Sequence, residues 1–195
     1  MRLERGQRLI IATHNPGKLA EFALLLAPFG LDCVASSALG LPEPAETAPD
    51  FAGNAQIKAL EAARASNTWA LADDSGLLVS AMGNAPGVHS ARFATKAGGY
   101  DQAMARIIAA TRTNDHAAFA CAICLATPDG KTATYLGYCH GHIAATPRGA
   151  SGFGYDPIFI PAGATQSFGE MDKPTKAALS HRGRALRQFV AAHCG

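Results

Sequence analysis

The sequence predicts an α/β fold, a mixed β-sheet covered by helices. Three features carry the expectation. Short apolar or β-branched runs alternate with helical patterns from residue 8 onward, an order that lays helices on the faces of a sheet. No linker, repeat or compositionally biased tract interrupts them, as in an ordinary globular domain. An Asp-Gly turn between two long apolar segments adds an antiparallel pair. A chain of 195 residues is expected to form one domain, or two lobes sharing a core, and needs no staples, because this length buries roughly 70% of its unfolded surface.

The elements follow in order. Residues 8–13 (RLIIAT) read as a strand, ended by the turn-like His14-Asn15-Pro16-Gly17. Residues 18–27 have helical composition, stopped by Pro28 and Gly30, and 31–35 read as a second strand. Three prolines make residues 40–49 a loop, a candidate for movement. Residues 51–66 form an alanine-rich helix with Asp50 or Asn54 as its cap. A strand at 69–72 runs into Asp73-Asp74-Ser75-Gly76, and 77–80 form another. Residues 81–99 are glycine-rich and show no clear periodicity; 100–111 read as a helix. Segments 117–127 and 131–144 flank Pro128-Asp129-Gly130 as a hairpin. A glycine-studded loop (148–155), a strand (157–160) and a last helix (about 175–193) complete the chain.

Composition removes several classes. A formal charge of +2 is too small to argue for nucleic acid or an anionic membrane. No apolar run approaches the roughly 20 residues of a membrane helix, and residues 9–12 are too short for a signal-peptide core. Five cysteines without framework spacing suit a reduced cytoplasm. Cys121 and Cys124 lie in an apolar strand, where positions i and i+3 face opposite ways. They therefore read as core residues rather than as half of a metal site.

Four constellations can carry chemistry. Thr13-His14-Asn15-Pro16-Gly17-Lys18 sits between a strand and a helix, where free N–H groups favour an anion. Thr13 and Asn15 can donate to phosphate oxygens and Lys18 adds a charge; a capped helix explains the segment as well. Asp73-Asp74-Ser75 at a strand end suits a Mg²⁺ site or a base for water, and it is equally good turn chemistry. Phe153-Gly154-Tyr155-Asp156 offers a stacking face and an acceptor for a purine ring N–H, or simply a core aromatic pair. Lys176, Ser180 and Gly183 share a face of the last helix, with His181 and Arg182 beside them. Arg182 can make a bidentate contact to phosphate or a keto oxygen; a solvated basic helix is the alternative.

The order of these motifs resembles the inosine triphosphate pyrophosphatase family. The resemblance rests on residues 13–21 (THNPGKLAE), 54–59 (NAQIKA), 72–77 (ADDSGL), 85–92 (APGVHSAR), 152–159 (GFGYDPIF) and 180–183 (SHRG), nearly the whole chain. It implies Mg²⁺-dependent hydrolysis of ITP, dITP and XTP to the monophosphate and pyrophosphate by a cytoplasmic homodimer. It also implies an elongated mixed sheet flanked by helices, with two lobes and a central substrate cleft. By position, Thr13, Asn15, Lys18 and Lys58 would hold the triphosphate, with Ser75 also at the substrate. Asp74 would be the base and, with Asp73, a metal ligand. Phe153, Gly154 and Tyr155 would border the base, with Asp156, Lys176, His181 and Arg182 reading it or the nearby phosphate.

One position departs from the family pattern. Where the family has Glu before Asn-Ala, this chain has Gly53, which removes an implied metal ligand; Glu46, Asp50 or water would have to replace it. Two alternatives follow: a nucleotide-binding protein weakened in turnover, and a pyrophosphatase for modified pyrimidine triphosphates.

Overall fold

The computed structural model describes residues 1–112 and 115–194. In chain order its elements are β1 (Arg8–Ile11), α1 (Pro16–Leu26), β2 (Asp32–Ala35), α2 (Phe51–Ser66), β3 (Ala70–Val79), β4 (Ala85–Pro86), α3 (Ser90–Ala97), α4 (Tyr100–Ala110), β5 (His116–Ala126), β6 (Thr132–Ile143), β7 (Phe159–Pro161), α5 (Lys173–Leu179) and α6 (His181–His193). The strands are hydrogen-bonded in the order β2-β1-β3-β5-β6-β7, with β4 on β3. β1 is parallel to β2 and β3, whereas β4 and β7 run antiparallel to their neighbours. The mixed sheet of an α/β fold is thus found.

The chain divides into two compact units, one of Met1–Asp74, Cys121–Gly137 and Arg182–Gly195, the other of Ser75–Ala120 and Tyr138–His181. In the first unit, successive strand residues serve opposite faces. Leu9, Ile11, Leu71, Cys121, Ile123 and Leu125 pack with Phe22 and Leu26 of α1 and with Leu186 and Phe189 of α6. Ile10, Ala12, Ala70, Ala72, Ala122 and Cys124 pack with Ala55, Ala59, Ala62 and Ala63 of α2. Small side chains on both partners let α2 lie close to the strands. Each large enclosed residue such as Phe22 contributes about 1.5–3 kcal/mol by leaving water. Cys121 and Cys124 serve opposite faces, as strand periodicity requires.

The second unit closes around Leu77, Val79, Met104, Ile107, Phe119, Phe159 and Phe168. Its centre is a group of rings, with Phe119 edge-on to Phe159 at 4.7 Å.

Four expectations need correction. Asp73-Asp74-Ser75-Gly76 is no turn and ends no strand: β3 runs unbroken through it. The last helix breaks at Ser180, whose extended ψ of 157° separates α5 from α6, so Lys176, Ser180 and Gly183 do not share one helical face. Residues 81–99 contain α3 and the short β4. Asp50, not Asn54, caps α2, accepting from the Gly53 N–H at 2.7 Å.

Candidate active site

The sequence of β3 sets the geometry in the first unit. Because alternate strand residues face opposite ways, Asp73 follows Leu71 toward α1 and α6, and Asp74 follows Ala72 toward α2. The two adjacent carboxylates therefore enter two different environments.

Asp73 is enclosed among cations. Its Oδ2 accepts from Arg182 Nη2 at 2.7 Å and Nε at 3.1 Å, and its Oδ1 lies 3.1 Å from Lys18 Nζ. Arg182 Nη1 donates to Glu21 of α1, so all three guanidinium nitrogens are engaged. Burial alone would raise the Asp73 pKa, but Arg182 and Lys18 outweigh it and hold the carboxyl far below the ordinary range. Arg182 is likewise driven above its usual value by Asp73 and Glu21, against the opposing effect of burial. The Cys121 thiol, 3.9 Å from Asp73, is pushed well up by burial and by that charge, which makes it unreactive.

Asp74 has different company. Its Oδ2 accepts from Asn54 Nδ2 at 3.1 Å, and Lys58 Nζ lies 3.4 Å from its Oδ1. The same ammonium meets Glu46 at 2.6 Å. Burial, reinforced by Glu46, outweighs Lys58 and raises the Asp74 pKa. Neighbouring carboxyls displaced in opposite directions separate a fixed counterion from a proton acceptor.

The loop before α2 is tied to this centre. Ala48 N–H donates to Asn54 Oδ1 at 2.9 Å, and His14 Nε2 lies 3.0 Å from the Leu41 carbonyl. A Cβ on Gly53 would fall 2.5 Å from that of Ala48, so a side chain there would displace the loop. With Asp50 used as the cap, Glu46 is the carboxylate this loop brings beside Asp74 and Lys58. Asn54, expected only as a cap or motif residue, joins the loop to Asp74.

At the start of α1, Asn15 Oδ1 caps the helix by accepting from the Gly17 and Lys18 N–H groups at 2.9 and 3.2 Å. Thr13 is buried, and its Oγ1 accepts from the Asn15 N–H. These N–H groups are therefore partnered rather than free, and the Thr13 hydroxyl, the Asn15 side-chain amide and the Lys18 ammonium are the side-chain donors of the motif.

The second unit holds the aromatic motif. Asp156 Oδ2 accepts from the Phe153 N–H at 2.7 Å and from Lys176 Nζ at 2.6 Å. A Cβ on Gly152 would fall 2.1 Å from that oxygen, and its φ is +77°, so glycine is required there on both counts. Lys176 Nζ lies 4.6 Å from the centre of the Phe153 ring. Phe153 is half-buried, whereas Tyr155 is enclosed in the core and donates to the Ser90 carbonyl at 2.8 Å. The expected aromatic pair thus splits into one half-buried ring under Lys176 and one ring enclosed in the core. Gly154 sits 3.5 Å from the Tyr100 ring by the same Cβ measure. His181 is buried and stacks on Phe119 at 4.7 Å with the planes 12° apart, a partner no sequence signal indicated. Ser75 is half-buried in β3.

The model of the Ham1 family matches residues 9–192. The chain belongs to the Ham1 family. A relative from Gluconobacter oxydans, named dITP/XTP pyrophosphatase, is 49% identical over 97% of this chain and 92% of its own length. One from Zymomonas mobilis, with the same name, is 45% identical over 98% and 93%. Among solved structures, a HAM1 protein from Coxiella burnetii superposes with a TM-score of 0.85 at 36% identity, over 95% of this chain and 98% of that one. The Ham1 protein of Staphylococcus aureus gives 0.82 at 32% identity, over 95% and 97%. The mixed sheet and its helices are thus those of Ham1 proteins. Among the described residues no helix is long and apolar enough to cross a membrane.

Proposed function

We propose that this Ham1-family chain is a nucleoside triphosphate pyrophosphatase that hydrolyses ITP, dITP and XTP to the monophosphate and pyrophosphate. Asp74 carries the reading: a buried carboxyl, raised in proton affinity, held by Asn54 and Lys58 and adjacent in sequence to a carboxyl held fully ionised. Such a group is a better proton acceptor for an attacking water than an ordinary carboxylate. Lys18 and Lys58 neutralise the phosphate oxygens, and positioning with charge neutralisation is most of what phosphoryl transfer requires. Asn15 adds a neutral donor at the start of α1, where the helix end favours an anion.

A divalent metal fits the donor set. Lys18, Lys58 and Arg182 face Glu21, Glu46, Asp73 and Asp74, a formal balance of −1, which cannot take a polyanion unaided. Asp74 and Glu46 offer hard oxygen donors, and Mg²⁺ is commonly held by one or two carboxylates plus substrate phosphates. Mg²⁺ would be held by Asp74 and Glu46, with Glu46 in place of the carboxylate missing at Gly53. Asp73, whose oxygens are engaged by Arg182 and Lys18, leaves the metal set, and Arg182 leaves the set that reads the base. When bound, the ion supplies further neutralisation of charge on the phosphate oxygens.

The base is assigned to Phe153, as a stacking face, and to Lys176. An ammonium only donates, so it partners the 6-keto oxygen of hypoxanthine or xanthine and offers nothing to the amino group of adenine. Asp156 holds that ammonium in place. A site built to hydrogen-bond one group rejects an analogue lacking it far better than an apolar pocket does. A cytoplasmic homodimer completes the proposal; light scattering measures its size. Pyrophosphate release from ITP, dITP, XTP, GTP, ATP and dUTP, with and without Mg²⁺, tests it. Equal rates on ITP and ATP would remove the selectivity, and a preference for dUTP would favour the pyrimidine alternative.

A further inference from the structure

The geometry points to Glu21 as a positioning residue that acts on the phosphate-binding Lys18 through Arg182 and Asp73. Glu21 and Lys18 are three residues apart on α1, and so share a helix face. They are also joined through the buried middle of the unit. The Glu21 carboxylate takes Arg182 Nη1, the rest of the guanidinium fork takes Asp73 Oδ2, and Asp73 Oδ1 faces Lys18 Nζ at 3.1 Å.

The path is stiff for physical reasons. The guanidinium is planar, so fixing Nη1 on one side fixes the plane in which Nε and Nη2 meet Asp73. The Arg182 and Asp73 side chains are 1% and 0% exposed, and water cannot substitute for a partner there. Two cations and two carboxylates alternate along it, so each charge is compensated by its neighbours. Glu21, 19% exposed, is the outer end. Its loss removes the carboxylate that holds Arg182 Nη1, so the guanidinium draws more on Asp73, which weakens the hold of Asp73 on Lys18. Lys18 is then a mobile ammonium rather than a placed one.

The inference rests on the proposed function only in taking Lys18 as a phosphate ligand. A double-mutant cycle between Glu21→Gln and Lys18→Ala tests it, since coupled residues give non-additive losses. In the wild-type background E21Q is expected to lower kcat/KM for dITP about tenfold, carried mainly by KM, a factor typical of coupling between neighbouring charges. In the K18A background the same change should cost less than about twofold. Equal losses in both backgrounds would overturn the inference, because a purely structural role adds the same penalty to either. So would an E21Q variant with unchanged kcat/KM. If thermal melting shows that E21Q does not fold, Glu21→Asp, which keeps the charge and shortens the reach, replaces it in the same cycle. Calorimetric binding of inorganic triphosphate repeats the cycle without turnover. A wild-type protein that binds triphosphate but hydrolyses no nucleotide would sink the proposed function, and the binding cycle would still decide the role of Glu21 by the same criterion of additivity.

Discussion

Replacing Asp73 by asparagine keeps the shape of the side chain and removes one charge. The structure gives the consequence. Asp73 is wholly buried, and its carboxylate compensates both the enclosed Arg182 guanidinium and the Lys18 ammonium. Breaking a buried pair by neutralising one partner costs about 3–5 kcal/mol, because a charge is left uncompensated. At roughly 2–4 °C per kcal/mol for a chain of this size, the melting temperature should fall by about 6–20 °C. The neighbouring substitution, Asp74→Asn, should behave oppositely. Burial and Glu46 already oppose the Asp74 charge, and an amide can still accept from Asn54, so stability should stay within about 1 kcal/mol. Turnover should instead fall about 10²–10⁴-fold with the loss of the base. Scanning calorimetry and pyrophosphate release on both variants make the test. A D73N protein that melts with the wild type, or a D74N protein with full turnover, would refute the separation of roles drawn from β3.

Further expectations follow from the same contacts. Asp73 titrates below its unfolded value, so the native state binds fewer protons than the unfolded chain; the stability it contributes is complete above about pH 4 and is lost as pH falls further. Denaturant midpoints at pH 6 and pH 3 should show that loss, and a D73N variant should show less of it. Gly53→Ala places a Cβ against Ala48 and should displace the Glu46 loop, raising the Mg²⁺ concentration for half-activation severalfold; an unchanged titration would remove Glu46 from the metal site. Phe153→Ala should raise KM for dITP about 5–150-fold, the equivalent of about 1–3 kcal/mol of stacking. Tyr155→Phe should leave KM unchanged and cost about 0.5–1.5 kcal/mol of stability by losing its bond to the Ser90 carbonyl, measured by chemical denaturation.

Local chemistry made much of the fold legible. The 51–66 helix matches α2 residue for residue because an Asp cap, an alanine-rich run and a left-handed Asn67 mark its ends. The hairpin follows from Asp-Gly, where Gly130 takes φ of +89°. What could not be read depended on distant partners. Asp-Asp-Ser-Gly has turn chemistry, yet it lies within β3, where Lys18, Lys58 and Arg182 from elsewhere in the chain neutralise the two acids. Arg182 lies 109 residues from Asp73. The helical composition around Ala177-Ala178-Leu179 hides the break at Ser180. Phe153 and Tyr155 look equivalent as a pair of aromatics, and only packing makes one a core residue. The site motifs were legible as a set, but the direction each side chain faces was not: nothing local shows that Arg182 and Lys18 meet Asp73.

The central claim is that water, activated by Asp74, attacks the α-phosphorus. Hydrolysis of dITP in ¹⁸O-labelled water, followed by mass spectrometry of both products, tests it most directly. The label should appear in the nucleoside monophosphate, with unlabelled pyrophosphate, and both products should be lost in D74N. Label in the pyrophosphate, or release of the diphosphate with inorganic phosphate, would contradict the account.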